Sequence, residues 1–444
     1  MCAADTGVRV LSRHCWPIWR PSPFYGWRIV ALSAVTLMLT GPGQTLGMSV
    51  FVEEIIRDLG IERSEVSLAY LIATLTGAAA LPLVGRGIDR YGVRSTMTLI
   101  GLAFAAAIAG LAGVVGFASM VVGFIGLRML GQGALTLTAT TAVGLWFEER
   151  RGMALGITTA VGAGLMSVVP IILTALVTAL GWREALLVAG PTVGALVVLI
   201  ARLGMRDGPH ELGLGLDGRA LESHQQRGGE TGGVDWPVAA ESRAVESRAW
   251  SANESIQTLM FWALALAFAS PSMIGTGLVF HQISVLGEQG LTPTQSAAAF
   301  VPYSLAAMGA TFVAGAVADR LRPEVLVALP LVMLLSAMHL VSFVMPGLLV
   351  VLYAGLLGGA SGSLRSLEPA LMAKFYGLAH IGSIRGRMMS IKVGASALGP
   401  YALAIGFEHF GAYQSALRVL TIVPAAALLF VVLAPYPNSK SRER

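Results

Sequence analysis

Three ionisable side chains stand inside otherwise apolar stretches of this chain: Arg128, Arg365 and Glu368. A charge in hydrocarbon costs about 2.5 kcal/mol or more, so such residues are functional candidates by default. A fixed guanidinium in a hydrated cavity can grip a carboxylate through paired hydrogen bonds. For Arg128 that reading stands level with another, a structural arginine bonded to backbone carbonyls or to Gln132 on the next turn. Arg365 and Glu368, three residues apart, share one helix face and can neutralise each other. Their sharper reading is an exchange in which Glu368 gives up Arg365 for a proton and frees the arginine for a substrate carboxylate. His281, beside Gln282, adds a group whose charge changes near neutral pH. Gln44, Tyr70, Thr74, Thr136, Thr140, Tyr303 and Tyr376 are candidate hydrogen-bonding groups around the same space.

The elements that must position these groups are membrane helices. With 55% hydrophobic and 12% charged residues and a mean hydropathy of +0.72, the 444 residues do not describe a soluble chain. A span takes about 20 apolar residues. Long charge-free stretches fill both halves of the chain, from 29–52 to 419–439. The segments 95–147 and 325–373 are each too long for one helix, and they divide near Gly116 to Ser119 and near Pro346-Gly347. The expected fold is an all-α membrane protein of twelve transmembrane helices, six in each half.

The halves repeat one another. Gly85-Arg-Gly-Ile-Asp89-Arg90 recurs 230 residues later as Gly315-Ala-Val-Ala-Asp319-Arg320, and the same offset pairs Gly60 with Gly290 and Gly181 with Gly411. Two pseudo-symmetric bundles follow, 25–203 and 256–434, with tails at 1–24 and 435–444 and a linker at 204–255. The linker is rich in Gly, Ser, Glu, Gln and Arg, repeats Glu-Ser-Arg-Ala at 241 and 246, and reads as flexible. Its Gly213-Leu-Gly215-Leu-Asp-Gly218 matches a nucleotide-binding glycine pattern, but no strand precedes it. Lysine and arginine collect on one side, in the tails, in the linker and at Arg86, Arg90, Arg94, Arg150, Arg151, Arg320, Arg322, Lys374, Arg385, Arg387 and Lys392. The opposite loops are acidic, so both termini are expected in the cytoplasm of a cell-membrane protein. Cys2 and Cys15 then sit on the reducing side, unpaired, and His14 beside Cys15 is too small a set for a metal site.

At this point the motifs carry a family resemblance. Gly85-x-x-x-Asp89-Arg90-x-Gly92-x-Arg94 resembles the loop motif of the major facilitator superfamily, and Arg128-Met-Leu-Gly-Gln132-Gly133 resembles its fourth-helix motif. Phe24-Tyr-Gly-Trp-Arg28, Gly181-Trp-Arg183 and Glu368-Pro through Gly377, with Gly399-Pro400, look like the bacterial monocarboxylate and oxalate/formate branch. The resemblance implies alternating access about a midplane cavity lined by the fourth helix. It also implies a latch at the cytoplasmic mouth, formed by Gly85, Asp89, Arg90, Gly92 and Arg94 and more weakly by Gly315, Asp319 and Arg320. Such charges would pair across the seam and hold the inside closed. The chain departs from the branch in two places. Glutamine stands at Gln44 where animal carriers have a lysine, and residues 302–318 of the eighth helix carry no charge.

Paired carboxylates at metal spacing, a nucleophile motif and a Walker loop are all missing, which argues against an enzyme. The expectation is secondary active transport of a small organic anion of monocarboxylate type, coupled to protons, with a lipid bilayer as partner. No cofactor, metal or nucleic acid is expected, and nothing demands more than a monomer. The alternative is export of larger neutral or hydrophobic compounds.

Overall fold

The computed structural model describes residues 24–215, 217, 250–318, 320–377 and 380–435. Asp319, Cys2, Cys15 and the Glu-Ser-Arg-Ala repeat lie outside the described residues. Twelve crossing helices follow in order. They are α1 (Tyr25–Leu39), α2 (Arg63–Leu81), α3 (Arg90–Leu111), α4 (Phe117–Gly144), α5 (Gly152–Leu180), α6 (Trp182–Gly204), α7 (Leu259–Phe280), α8 (Pro293–Val317), α9 (Pro323–Phe343), α10 (Leu348–Tyr376), α11 (Ile384–Phe410) and α12 (Tyr413–Leu433). All but α1 are long and apolar enough to span a bilayer unaided. The first crossing is instead broken: Gly41-Pro42-Gly43 forms a turn of 3₁₀ helix, and Thr45–Met48 and Val52–Leu59 complete it. Proline has no N–H to continue the ladder, and glycine is the poorest helix former after it.

The internal repeat extends to the helix caps. Gly60 and Gly290 both take positive φ, 63° and 83°, where residues with a β-carbon are strained. Two residues on, Glu62 donates its N–H to Glu65, and Thr292 donates its N–H to Gln295 while accepting from the Gln295 N–H. The same reciprocal start therefore opens α2 and α8. The N-terminal half closes on one apolar core that includes Phe104, Phe124, Trp146 and Phe147. Phe280 of the C-terminal half is buried in that same core, so the seam itself is packed there.

One end of the molecule carries the arginine-rich loops and is called the basic end; the other, with Glu53, Glu54 and Asp58, is the acidic end. At the basic end the stretch after α6 is ordered on its own half, which departs from a wholly flexible linker. Asp207 accepts from the Arg94 N–H at 2.8 Å, and Arg94 Nη2 donates to the Arg202 carbonyl at 2.8 Å. Gly92 has φ 77°, and a β-carbon there would lie 2.6 Å from the Asp207 carboxylate. Asp217 accepts from the Glu148 and Glu149 N–H groups, so part of the glycine pattern caps the α4–α5 turn.

Candidate functional site

A cavity of about 760 Å³ lies between the halves. Its wall includes Gln44, Thr45, Thr74, Arg128 and Gln132 from one half and Tyr303, Ser304, Arg365, Lys392 and Ser396 from the other. Apolar side chains fill the intervals, among them Met166, Phe268, Met308, Phe312 and Met389. Lining residues reach Gly156 on α5 and Met389 on α11, each within about a turn and a half of the helix's basic end. The mouth is therefore at the basic end.

The acidic end is shut. Glu53 accepts hydrogen bonds from Arg63 of its own half and from Ser284 of the other. Arg63 Nη1 also donates to Ser284 Oγ at 3.1 Å, and its guanidinium lies over the rings of Phe407 and Tyr413. The Ser64 N–H donates to Glu408 Oε1 at 2.7 Å. Ser67 Oγ is 3.3 Å from His281 Nε2, which is also 3.0 Å from the Pro400 carbonyl. These side-chain hydrogen bonds across the seam all lie at this end.

Arg128 is held from three sides. Its Nε donates to Thr74 Oγ1 at 3.1 Å, and Nη1 reaches the Gly43 carbonyl and Thr45 Oγ1, both at 3.4 Å. The guanidinium carbon sits 4.5 Å above the Tyr70 ring. Among the described residues it has no carboxylate partner, and Nη2 has no hydrogen-bond partner, although the residue is only 3% exposed. Two local irregularities put it there. The break after α1 frees the Gly43 carbonyl, and α4 widens to a π-helical turn over Arg128–Leu135, a device common at functional sites. Close approach of Gly131 to Gly43 lets the two irregular segments meet. The structural reading of Arg128 is thus partly realised, through hydroxyls and one carbonyl, while Gln132 lines the cavity and does not bond it.

The pair expected between Arg365 and Glu368 is not formed. Glu368, 4% exposed, accepts instead from Lys392, and its Oε1 is 3.5 Å from Arg385 Nε. Helix α11 brings those two cations to the buried side of α10, while Arg365 faces the cavity, unpaired among the described residues. Lys392 was counted with the cytoplasmic charges, yet it belongs to the cavity wall. Sequence offered only its place, five residues beyond Arg387 and next to the charge-free run 393–407. His281 is a second correction: it is fully buried in the acidic-end seam and does not line the cavity. Gln44 and Tyr303 do line it, Gln44 donating to Thr40 Oγ1 at 3.0 Å. Thr136 and Thr140 bond their own helix, and Tyr376 bonds Thr258 away from the cavity.

Among the described latch side chains none crosses the seam in this arrangement; the side chain of Asp89, like Asp319, lies outside what is described. The Arg94 N–H donates to Asp207 of its own half, whose carboxylate lies against Gly92, Arg90 packs over Tyr91, and Arg90 and Arg320 form no ion pair among the described residues. Gly85 and Gly315 border open space. An open mouth explains this, since the opposing surfaces stand apart.

Twelve helices in two related halves around one central cavity are an architecture that many secondary transporters share. The family model for the Major Facilitator Superfamily matches residues 33–400, and the chain belongs to that superfamily. By that membership it is a multi-pass integral membrane transporter and not an enzyme. Among curated proteins it is 24% identical over 257 residues to an oxalate:formate antiporter of Oxalobacter formigenes, covering 56% of this chain and 53% of that protein. It is 29% identical over 149 residues to a probable sulfoacetate transporter of Cupriavidus necator, covering 33% and 34% respectively. The match thus spans about half of the first relative and a third of the second. A solved bacterial homologue of the human lysosomal transporter Spinster, inward-facing and unoccupied, superposes with a TM-score of 0.65 at 17% identity. That superposition covers 93% of this chain and 96% of the homologue, and it shows the shared fold.

Proposed function

We propose that the protein carries a small organic anion, of monocarboxylate type or a near relative, coupled to protons by alternating access. The observation that carries this reading is Arg128, a buried cation on the cavity wall with no acidic partner among the described residues. Arg365 and Lys392 add positive charge from the opposite half, while the nearby carboxylate, Glu368, stands behind Lys392. Buried charge wants a counter-ion, and here the substrate supplies it. The substrates for which the two curated relatives are named are carboxylates or a sulfonated carboxylate, which supports this reading. Glu368 can take a proton when Lys392 turns to the substrate, giving a route to coupling. By the excess of Lys and Arg the basic end is cytoplasmic, so the arrangement described is inward-open, in the cell membrane. A monomer suffices, because both halves of the site come from one chain.

The test is uptake of labelled formate, oxalate and sulfoacetate into proteoliposomes under an inward proton gradient, with Arg128→Ala alongside. Gradient-driven uptake is expected. The substitution should lower it about 30-fold or more, the range for truncating one member of a buried charge pair. Uptake of no acid by folded protein would shift the reading to export of larger apolar compounds, which the Phe and Met walls would suit.

A further inference from the structure

Along one face of α2, four side chains reach in succession from the closed end to the cavity: Arg63, Ser67, Tyr70 and Thr74. Spacings of four, three and four residues keep them in line on a helix. Tyr70 is the middle of this line. It is fully buried and does not line the cavity, so it is not placed to touch substrate. Its ring lies under the Arg128 guanidinium at 4.5 Å and packs against Phe280 of the other half, centroids 4.5 Å apart. Its hydroxyl is 2.7 Å from Thr45 Oγ1 at the break in the first crossing. Phe280 is followed directly by His281, which meets Ser67 in the seam.

We propose that Tyr70 transmits occupancy of the cavity to the closure of the acidic end. This rests on the anion reading of Arg128. A guanidinium is attracted to the negative face of an aromatic ring, and more strongly when desolvated. In the empty cavity the Tyr70 ring provides that face, and the cation in turn holds the ring where it packs Phe280. An anion in the cavity competes for the same guanidinium. As the cation leaves the ring, the packing that seals the seam loses its orienting partner, and the open-outward arrangement becomes relatively more favourable. The ligand thereby has a different interaction with each state, which a shift in population requires. By linkage, closure of the acidic end must weaken anion binding by the same factor. Contiguity does not establish coupling, so coupling is what has to be measured.

Thr174 on α5 is a suitable reporter. It is 2% exposed, lines the acidic-end space between the halves, and its hydroxyl bonds nothing among the described residues. In full-length protein carrying Cys2→Ser, Cys15→Ser and Thr174→Cys, the rate of maleimide labelling is measured with and without saturating formate, oxalate or sulfoacetate. Binding of each anion is measured separately by calorimetry. The anion should speed labelling about fivefold or more, the lower end of ordinary coupling. Tyr70→Phe, which keeps the ring, should retain that ratio. Tyr70→Leu and Phe280→Leu should still bind the anion but bring the ratio close to one. If Tyr70→Leu does not fold, Phe280→Leu makes the same test from the opposite half. An undiminished ratio in Phe280→Leu, or in Tyr70→Leu, overturns the proposal. So does an anion that binds the Thr174→Cys parent without changing its labelling, which leaves the anion reading intact. Failure of any anion to bind overturns both.

Discussion

Arg128 and Glu368 were visible as charges in apolar sequence, but their partners were not. Helix spacing allowed Glu368 to meet Arg365 three residues away, and instead it meets Lys392 and Arg385 on another helix. A local pair is marginal when hydrated, about 0.2–0.5 kcal/mol, so a buried carboxylate takes whichever cation the packing brings to its buried side. If Glu368 is the coupling group, Glu368→Gln should leave uptake active but remove its dependence on the proton gradient, while Arg365→Gln should raise the substrate KM and keep that dependence. Uptake by Glu368→Gln that still follows the gradient would exclude Glu368 from coupling. The check is initial rate against external pH in proteoliposomes.

Elements show why glycines of one motif are not equivalent. Gly92 has positive φ and a carboxylate where its β-carbon would be, whereas Gly85 has ordinary φ and open space around it. Gly92→Ala should cost about 1–3 kcal/mol through backbone strain and displacement of Asp207, seen as a lower Tm in detergent. Gly85→Ala should leave Tm unchanged. Equal effects of the two substitutions would mean that the α2–α3 turn is not fastened by Asp207. The repeated motif was legible by eye, and so were the paired glycines at 60 and 290. Its contact with Asp207 was not, because that residue lies 115 positions beyond Gly92 in what read as linker.

For the whole molecule, the state of the acidic end depends on one mixed cluster. Burial opposes ionisation of Glu53, but the hydrogen bond and charge of Arg63, with the Ser284 hydrogen bond, hold its carboxyl below the usual carboxylate range. Glu54, paired to Arg57, and Glu288, raised by burial, complete the surroundings. A carboxyl whose pKa is depressed in the closed arrangement stabilises closure above the ordinary value. That contribution is lost as pH falls through the lowered value. Acidification through that lowered value should therefore open the acidic end, read as labelling of Thr174→Cys that speeds up relative to a freely exposed cysteine at the same pH, because the thiolate fraction falls for both. Glu53→Gln should label faster at neutral pH and lose the acid step. A variant that kept the step would assign it to another group.

Composition and periodicity alone determined that this chain is a membrane bundle of two related halves, because burying a backbone in lipid leaves a helix few alternatives. They also singled out Arg128, since charge in such stretches is rare. Only the tertiary structure decided what each charge faces. It placed Lys392 on the cavity wall and His281 in the seam, and it tied Arg94 of the loop motif to Asp207. The reason is physical: hydropathy is a property of each segment, whereas the partner of a buried charge depends on which helices pack together and on the state in which the two halves stand.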